Sequence, residues 1–386
     1  AANTAKFGGG VYTKGDCTMS GDAAVSSNKA ISSGEITNKD GHGGGVYIES
    51  GTFVLSDNAK VSGNTAKYGG GVSFFTEDTS ASFTMSDSAA VSGNTAVSYG
   101  GIAVLGGSFT MESGKVTLNK ATEGSAGGVG VGNGGSFTMQ GGIISGNQAR
   151  STNEPEGGGV MCGVYHGDYA DTSKVDATGT FTMTGGSITK NTALNFAGVC
   201  VANGNGTFTV SGKVTVTGNW VGQTENNVYL YKDKLITIGE GGLDVSAKIG
   251  VTCRSLNSGE SVTIATGGAY SCTESNFIAN AGGAHFIKVE QDADTSNVNV
   301  KLYNGQPPVE THKHYLCGGS DGCTCTSGSN CESVNFTAWD SANALPDTAG
   351  NYYLTKDVEL DGSSNIPWMP KADTVLCLNG HKITKN

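Results

Sequence analysis

Proline is nearly missing from most of this chain: Pro155 is the only one before residue 307. Proline cannot donate to a β-ladder, so the long stretch ahead of Pro307 is free to form continuous strand pairing. Arginine is scarcer still, confined to Arg150 and Arg254, and no window is basic. Nucleic-acid binding needs a basic footprint, so that class is set aside. The net charge of −11 favours solubility but identifies no partner. No apolar run approaches the length of a membrane-spanning helix, and no membrane insertion is expected. No leader-like segment opens the chain, which says nothing about compartment for a processed fragment.

What is abundant is glycine, at 62 positions, while charged residues make up only 15%. Disorder usually combines high charge with few apolar residues, whereas here the hydrophobic fraction is 37% and its members recur at set spacings. A buried core is therefore available.

Three patterns recur in fixed order. A Gly run precedes an apolar residue, as in Gly43-Gly44-Gly45-Val46, Gly69-Gly70-Gly71-Val72 and Gly157-Gly158-Gly159-Val160. An alternating segment follows: Cys17-Thr18-Met19, Phe53-Val54-Leu55, Phe83-Thr84-Met85, Phe109-Thr110-Met111, Phe137-Thr138-Met139, Phe181-Thr182-Met183 and Phe208-Thr209-Val210. Then an apolar residue runs into Asn, as in Val61-Ser62-Gly63-Asn64 and Ile144-Ser145-Gly146-Asn147. Phe to Asn is 10 or 11 residues, and Asn to the next Val or Ile is 8 in four cases (38 to 46, 64 to 72, 94 to 102, 191 to 199). The remaining interval varies, so insertions collect at particular corners, as they do in stacked repeats.

Each unit, roughly 27 residues, holds three runs too short for helices. Phe and Met can face inward while Thr faces out. One unit cannot close a core, but stacking units in register buries each Phe against the next. Gly permits tight corners, and a repeated Asn can occupy the left-handed region and bond its counterparts above and below. The fold expected is all-β: a right-handed parallel β-helix, a solenoid with three short strands per coil. A propeller or leucine-rich repeat would carry a different period and signature.

The string Asn64-Thr65-Ala66-Lys67-Tyr68-Gly69-Gly70-Gly71-Val72 resembles the paired Gly-Gly-Ala-Ile and Phe-x-x-Asn repeats of chlamydial polymorphic outer-membrane protein adhesins. It is similar also to the β-helix repeat regions of large cell-surface proteins of gut Firmicutes. The first likeness spans residues 1–220 and departs ahead of Asn, where Val or Ile replaces Phe. It implies an extracellular or cell-surface segment of a bacterial adhesin, structural or adhesive in role, and implies no membrane barrel.

Residues 1–306 read as the β-helix, with last coils and a cap from about 221 in the longer segments Asn227–Ile238, Leu243–Ile249, Ser261–Ala265 and Asn297–Tyr303. Residues 307–386 read as a linker, a small His/Cys-rich segment and the start of a second β-helix module, which the gut surface proteins introduce similarly. The chain begins in mid-unit at Asn3, so upstream coils are expected, and weak self-association through the cut ends follows from their unpaired edges.

Potential ligands concentrate in His312, His314, Cys317, Cys323, Cys325 and Cys331. Two readings stay open: a structural zinc held by His312, His314, Cys317 and Cys323, or disulfides among the four Cys, the commoner state in secreted chains. No other cofactor is expected. Cys17, in the Phe position, reads as buried, and Cys200 as an ordinary small core or surface residue. Gly130–Gly135 matches Gly-x-Gly-x-x-Gly but opens no helix, and Leu345–Gly350 resembles a sorting signal with Ala where Gly belongs and no apolar tail; both are rejected. Tyr165, His166, Asp168 and Tyr169, in the insertion 151–171, are the candidate ligand-binding loop for a host protein or glycan. The alternative is a carbohydrate-active β-helix enzyme, a polysaccharide lyase or hydrolase. Such enzymes gather carboxylates on one face, whereas Asp57, Asp87, Glu112 and Glu123 read as scattered, and no catalytic residue is assigned.

Overall fold

In the strand Ser108–Met111, Phe109 and Met111 are buried while Ser108 and Thr110 are half-exposed, the two-residue alternation of a strand with one face on a core. The same alternation repeats in register up the chain. A computed structural model describes residues 1–386 apart from 33–39, 77, 152–156, 165–177, 203–204, 232, 253–255, 270, 281–284, 292–296, 306–310, 317–331, 362–368, 379–380 and 386. It forms two units, Ala1–Gln306 and Pro307–Asn386. The first is a parallel β-solenoid.

Three faces carry the recurrent patterns. On the Gly-run face, Val46 pairs with Val72, Val72 with Ile102, and Ile102 with Val129. On the second face Phe53, Phe83, Phe109, Phe137, Phe181 and Phe208 pair in sequence. On the third, Val61 pairs with Val91, Val91 with Val116 and Val116 with Ile144. All three point these residues into one continuous core. The strand spacing brings the Phe rings into a stack. Successive centroids from Phe83 to Phe208 lie 4.6, 4.7, 4.9 and 4.8 Å apart, with planes within 15°. A short fourth strand follows the Asn corner and builds a separate parallel sheet from Thr4–Ala5 to Gln148–Ala149. These strands have two to four residues, too few to leave a period in the sequence.

Asn is the pivot of the third corner. Asn64, Asn94, Asn119, Asn147 and Asn191 are fully buried. In each, the main-chain N–H and the side-chain amide both donate to the Oδ1 of the next Asn, at 2.9–3.1 Å. The amide's second hydrogen goes to a carbonyl of the previous coil, Val91 in the case of Asn119. Two expectations are corrected here. The residue in the left-handed region is not Asn but the one before it: Ser27, Gly63, Gly93, Leu118, Gly146, Lys190 and Gly218 all have φ between 57° and 67°. That twist turns each Asn inward. In the second coil, moreover, the rung is Asn28, which donates to Asn64, whereas Asn38 lies outside the described residues.

The Gly runs serve two ends. The first Gly (Gly43, Gly69) takes a positive φ. The second and third are required by crowding: a Cβ on Gly70 would lie 2.5 Å from the Gly100 carbonyl oxygen, and one on Gly71 2.6 Å from Val91.

Parallel stacking continues through Val228–Leu230, Ile236–Leu243 and Lys248–Thr252 to Phe277–Ala279. The expected single segment Asn227–Ile238 is therefore two strands with a turn between. His285–Gln291 and Val298–Asn304 then pair antiparallel with each other, and the latter also with Ser261–Gly267. This switch ends the run of parallel rungs.

The second unit has its own small core of Leu345, Leu354 and Val358. Thr311–Leu316 pairs antiparallel with Glu332–Trp339, after which Gly350–Leu354 and Thr374–Cys377 stack in parallel. Val358–Leu360 and Ile383–Lys385 also pair in parallel. These parallel pairs give the second unit rungs of its own.

Candidate functional site: an aromatic cleft on the first coils

Strand Val46–Ile48 is buried on both sides. Val46 and Ile48 enter the solenoid core, while Tyr47 belongs to a second, outer layer with Tyr68, Phe75, Tyr99 and Met161. The residue ahead of each Gly run supplies much of that layer. Phe7, His42 and Tyr68 are linked by parallel bridges, and the turn at the following Gly folds them over the strand that comes next. His42 is buried there, 4.8 Å from the Tyr68 ring and 4.9 Å from Phe75, with Nδ1 3.0 Å from Ser73 Oγ. Tyr47 donates to the Phe75 carbonyl at 2.9 Å, tying adjacent coils together outside the core.

At the first three coils this layer opens into a cleft of about 430 Å³, a ligand-sized volume. Phe7, Tyr12, Tyr47 and Phe75 line it, with Glu49, Ser50, Thr76 and Asp78 as polar neighbours. Tyr12 stacks on Tyr47 at 5.5 Å and 11°, and Phe7 lies 5.3 Å from Tyr47. Tyr12, on the first described coil, is 44% exposed, and Lys14 lies over its ring at 5.8 Å from the centroid.

The polar groups are already arranged. Glu49 accepts from the Tyr12 hydroxyl and pairs with Lys14 at 3.0 Å. Partial burial, then the Glu49 bond, hold the Tyr12 phenol above its ordinary value, and Glu49 first and Tyr12 second hold Lys14 above its own. Asp78 accepts from the Ser80 hydroxyl and backbone N–H at 2.6 and 2.9 Å, which lowers its pKa. General-acid hydrolysis needs a carboxyl held protonated near neutrality, and Asp78 is shifted the other way.

A second cleft, of about 260 Å³, lies by the fourth-strand sheet among Gln148, Arg150, Leu194 and Trp220. It has exposed apolar surface but no comparable set of polar groups.

Of the residues singled out from the sequence, Tyr165, His166, Asp168 and Tyr169 lie outside the described residues, as do Cys317, Cys323, Cys325 and Cys331. His312 and His314 fall in the strand Thr311–Leu316, where their backbones pair with Phe336 and Val334. Among the described residues no three His, Cys, Asp or Glu side chains converge as a metal site. Asp57 and Asp87 are not scattered but stacked: both have positive φ, and each carboxylate accepts a backbone N–H from the coil before, Gly21 and Asp57 respectively. They serve as corner caps. Cys200 is buried in the outer layer, and Cys162 is buried in the core, its thiol pushed up to about 12 by burial. Cys17 pairs with Phe53 but is only half-buried, because no described coil packs on its other side. Sequence reading passed over the cleft, although an aromatic ring ahead of the Gly run at Phe7, Tyr68 and Tyr99, and a histidine at His42, was the signal that marked its layer.

No helix among the described residues is long and apolar enough to cross a membrane. No family model, curated protein or solved structure matches the chain.

Proposed function

We propose that this chain is a rigid spacer and display segment of a secreted or surface-anchored bacterial protein of adhesin type. The observation that supports it is the unbroken asparagine ladder: nine rungs, Asn3, Asn28, Asn64, Asn94, Asn119, Asn147, Asn191, Asn219 and Asn227, are joined in succession. A scaffold tied rung to rung holds whatever its corners carry at fixed separations. The carbohydrate-active enzyme reading has less to stand on, since Asp57 and Asp87 are engaged as corner caps.

Rigidity has a measurable consequence. Seven successive pairings separate Ala24 from Lys248. Labels on the neighbouring exposed residues Asp22 and Ser246 should then give one narrow distance distribution, ~34 Å plus linker length, from the rung spacing. A broad distribution would remove the spacer role. Display is tested separately: antibodies against the chain should label intact source cells, and labelling only after permeabilisation would overturn a surface location.

A further inference from the structure

We infer that the second cleft, lined by Gln148, Arg150, Thr192 and Trp220, binds the carboxylate-bearing ring of an acidic sugar, a uronic or sialic acid unit of a glycan. The inference goes beyond the spacer reading, which stands whether or not this cleft holds a ligand.

The solenoid itself sets these groups out in the middle of the coil stack. Gln148, Thr192 and Trp220 are joined by parallel bridges, so they form one column at the rung spacing of about 4.8 Å. Arg150 lies two residues past Gln148, and with Ala149 buried between them both project from the same side of the strand. The cleft of about 260 Å³ has room for one sugar unit and not for a chain.

The polar groups of the first cleft are bonded to one another, whereas those of the second are unengaged. Among the described residues the Arg150 guanidinium, the Gln148 amide and the Thr192 hydroxyl make no hydrogen bond or ion pair. Trp220 is 38% exposed, and no described aromatic ring or cation lies against it. Glu225, opposite Trp220 in the hairpin, directs its carboxylate to the amides of Asn227 and Asn280.

That set of groups selects the ligand. A guanidinium fork matches a planar carboxylate, and a single cation balances a single negative charge, which suits a carboxylate better than a dianionic phosphate. The indole packs on the C–H face of a pyranose. Sugar hydroxyls both donate and accept, which an amide and a hydroxyl one rung apart can answer. An acidic peptide would satisfy Arg150 alone.

The test is saturation-transfer NMR on the whole chain with sialyllactose and trigalacturonate. Lactose serves as the neutral comparison and a polyglutamate peptide as the acidic one. Expected is transfer to the ring C–H protons of at least one acidic sugar, and none to lactose or the peptide. Arg150→Gln should weaken that binding at least about tenfold, the scale of a lost charge-assisted hydrogen bond. Its melting temperature should not change, because the guanidinium holds no described partner. Trp220→Ala should weaken binding similarly while Trp220→Phe keeps most of it, which separates lost stacking from a disturbed hairpin. Binding that survives Arg150→Gln would overturn the site, as would equal losses from the two Trp220 variants. So would lactose binding as well as sialyllactose, displacement of the sugar by polyglutamate, or silence from both acidic sugars at millimolar concentration.

Discussion

Asn119→Ala should destabilise the solenoid by roughly 3–6 kcal/mol, a large share of the total stability of an ordinary domain. Removing this amide leaves the Asn94 N–H and one hydrogen of the Asn94 side chain without partners in the interior, and takes a donor from the Val91 carbonyl. Each orphan forfeits its hydrogen bond without recovering water, and that desolvation penalty exceeds the net gain of making the bond in the first place. Asn58→Ala is the control, since Asn58 is an exposed corner residue whose amide reaches only Asp22. Its loss should stay within about 0.5–1 kcal/mol. Denaturant midpoints of the two variants provide the comparison. A loss below about 1 kcal/mol for Asn119→Ala would mean that water or a shifted neighbour replaces the amide.

Phe137→Ala should cost about 3–5 kcal/mol, the range for emptying a large buried aromatic site. Phe137 is fully buried and has a near-parallel ring on either side, Phe109 at 4.7 Å and Phe181 at 4.9 Å. The backbones above and below are held by their own ladders and cannot close the gap. Phe53→Ala should be milder: its ring meets Phe83 at 47° and 5.3 Å, and its other neighbour is the smaller Cys17. Thermal melts rank the two, while hydrogen exchange should show lost protection confined to the coils around the Phe137 cavity. Equal losses at both positions would contradict a stack whose energy depends on two-sided contact.

The legible part of this fold was whatever repeats at intervals longer than noise. Phe53 to Phe208 and Val61 to Val216 recur at similar places in successive units, so the period, the stacking and the inward face could be read directly. The ladder was visible as a column of Asn, but its mechanics were not. The twist belongs to residues as different as Gly93, Leu118 and Lys190, which share a backbone conformation and no side-chain chemistry. Asn28 escaped notice because 36 residues separate it from Asn64, a distance stretched by an insertion. The cleft was illegible for another reason. Tyr12 and Tyr47 alternate outward on their strands, a position normally read as solvent-facing, and only the fold-back before the Gly run turns it into a lined cavity.

The ladder also has an electrical direction. Every amide from Asn3 onward donates toward the C-terminal end, so the side-chain dipoles add head to tail along the axis instead of cancelling. This is the side-chain counterpart of a helix macrodipole, with its positive pole at the far end. A carboxylate stands at that pole: Glu225 Oε2 accepts from the amides of Asn227 and Asn280, at 3.0 and 3.2 Å. The column thus ends on an anion, as a helix N-terminus often does, and each bond polarises the next along its length. Two such columns set antiparallel would oppose their fields, and two in line would reinforce them, so the solenoid carries a sense of orientation in its interior as well as in its backbone.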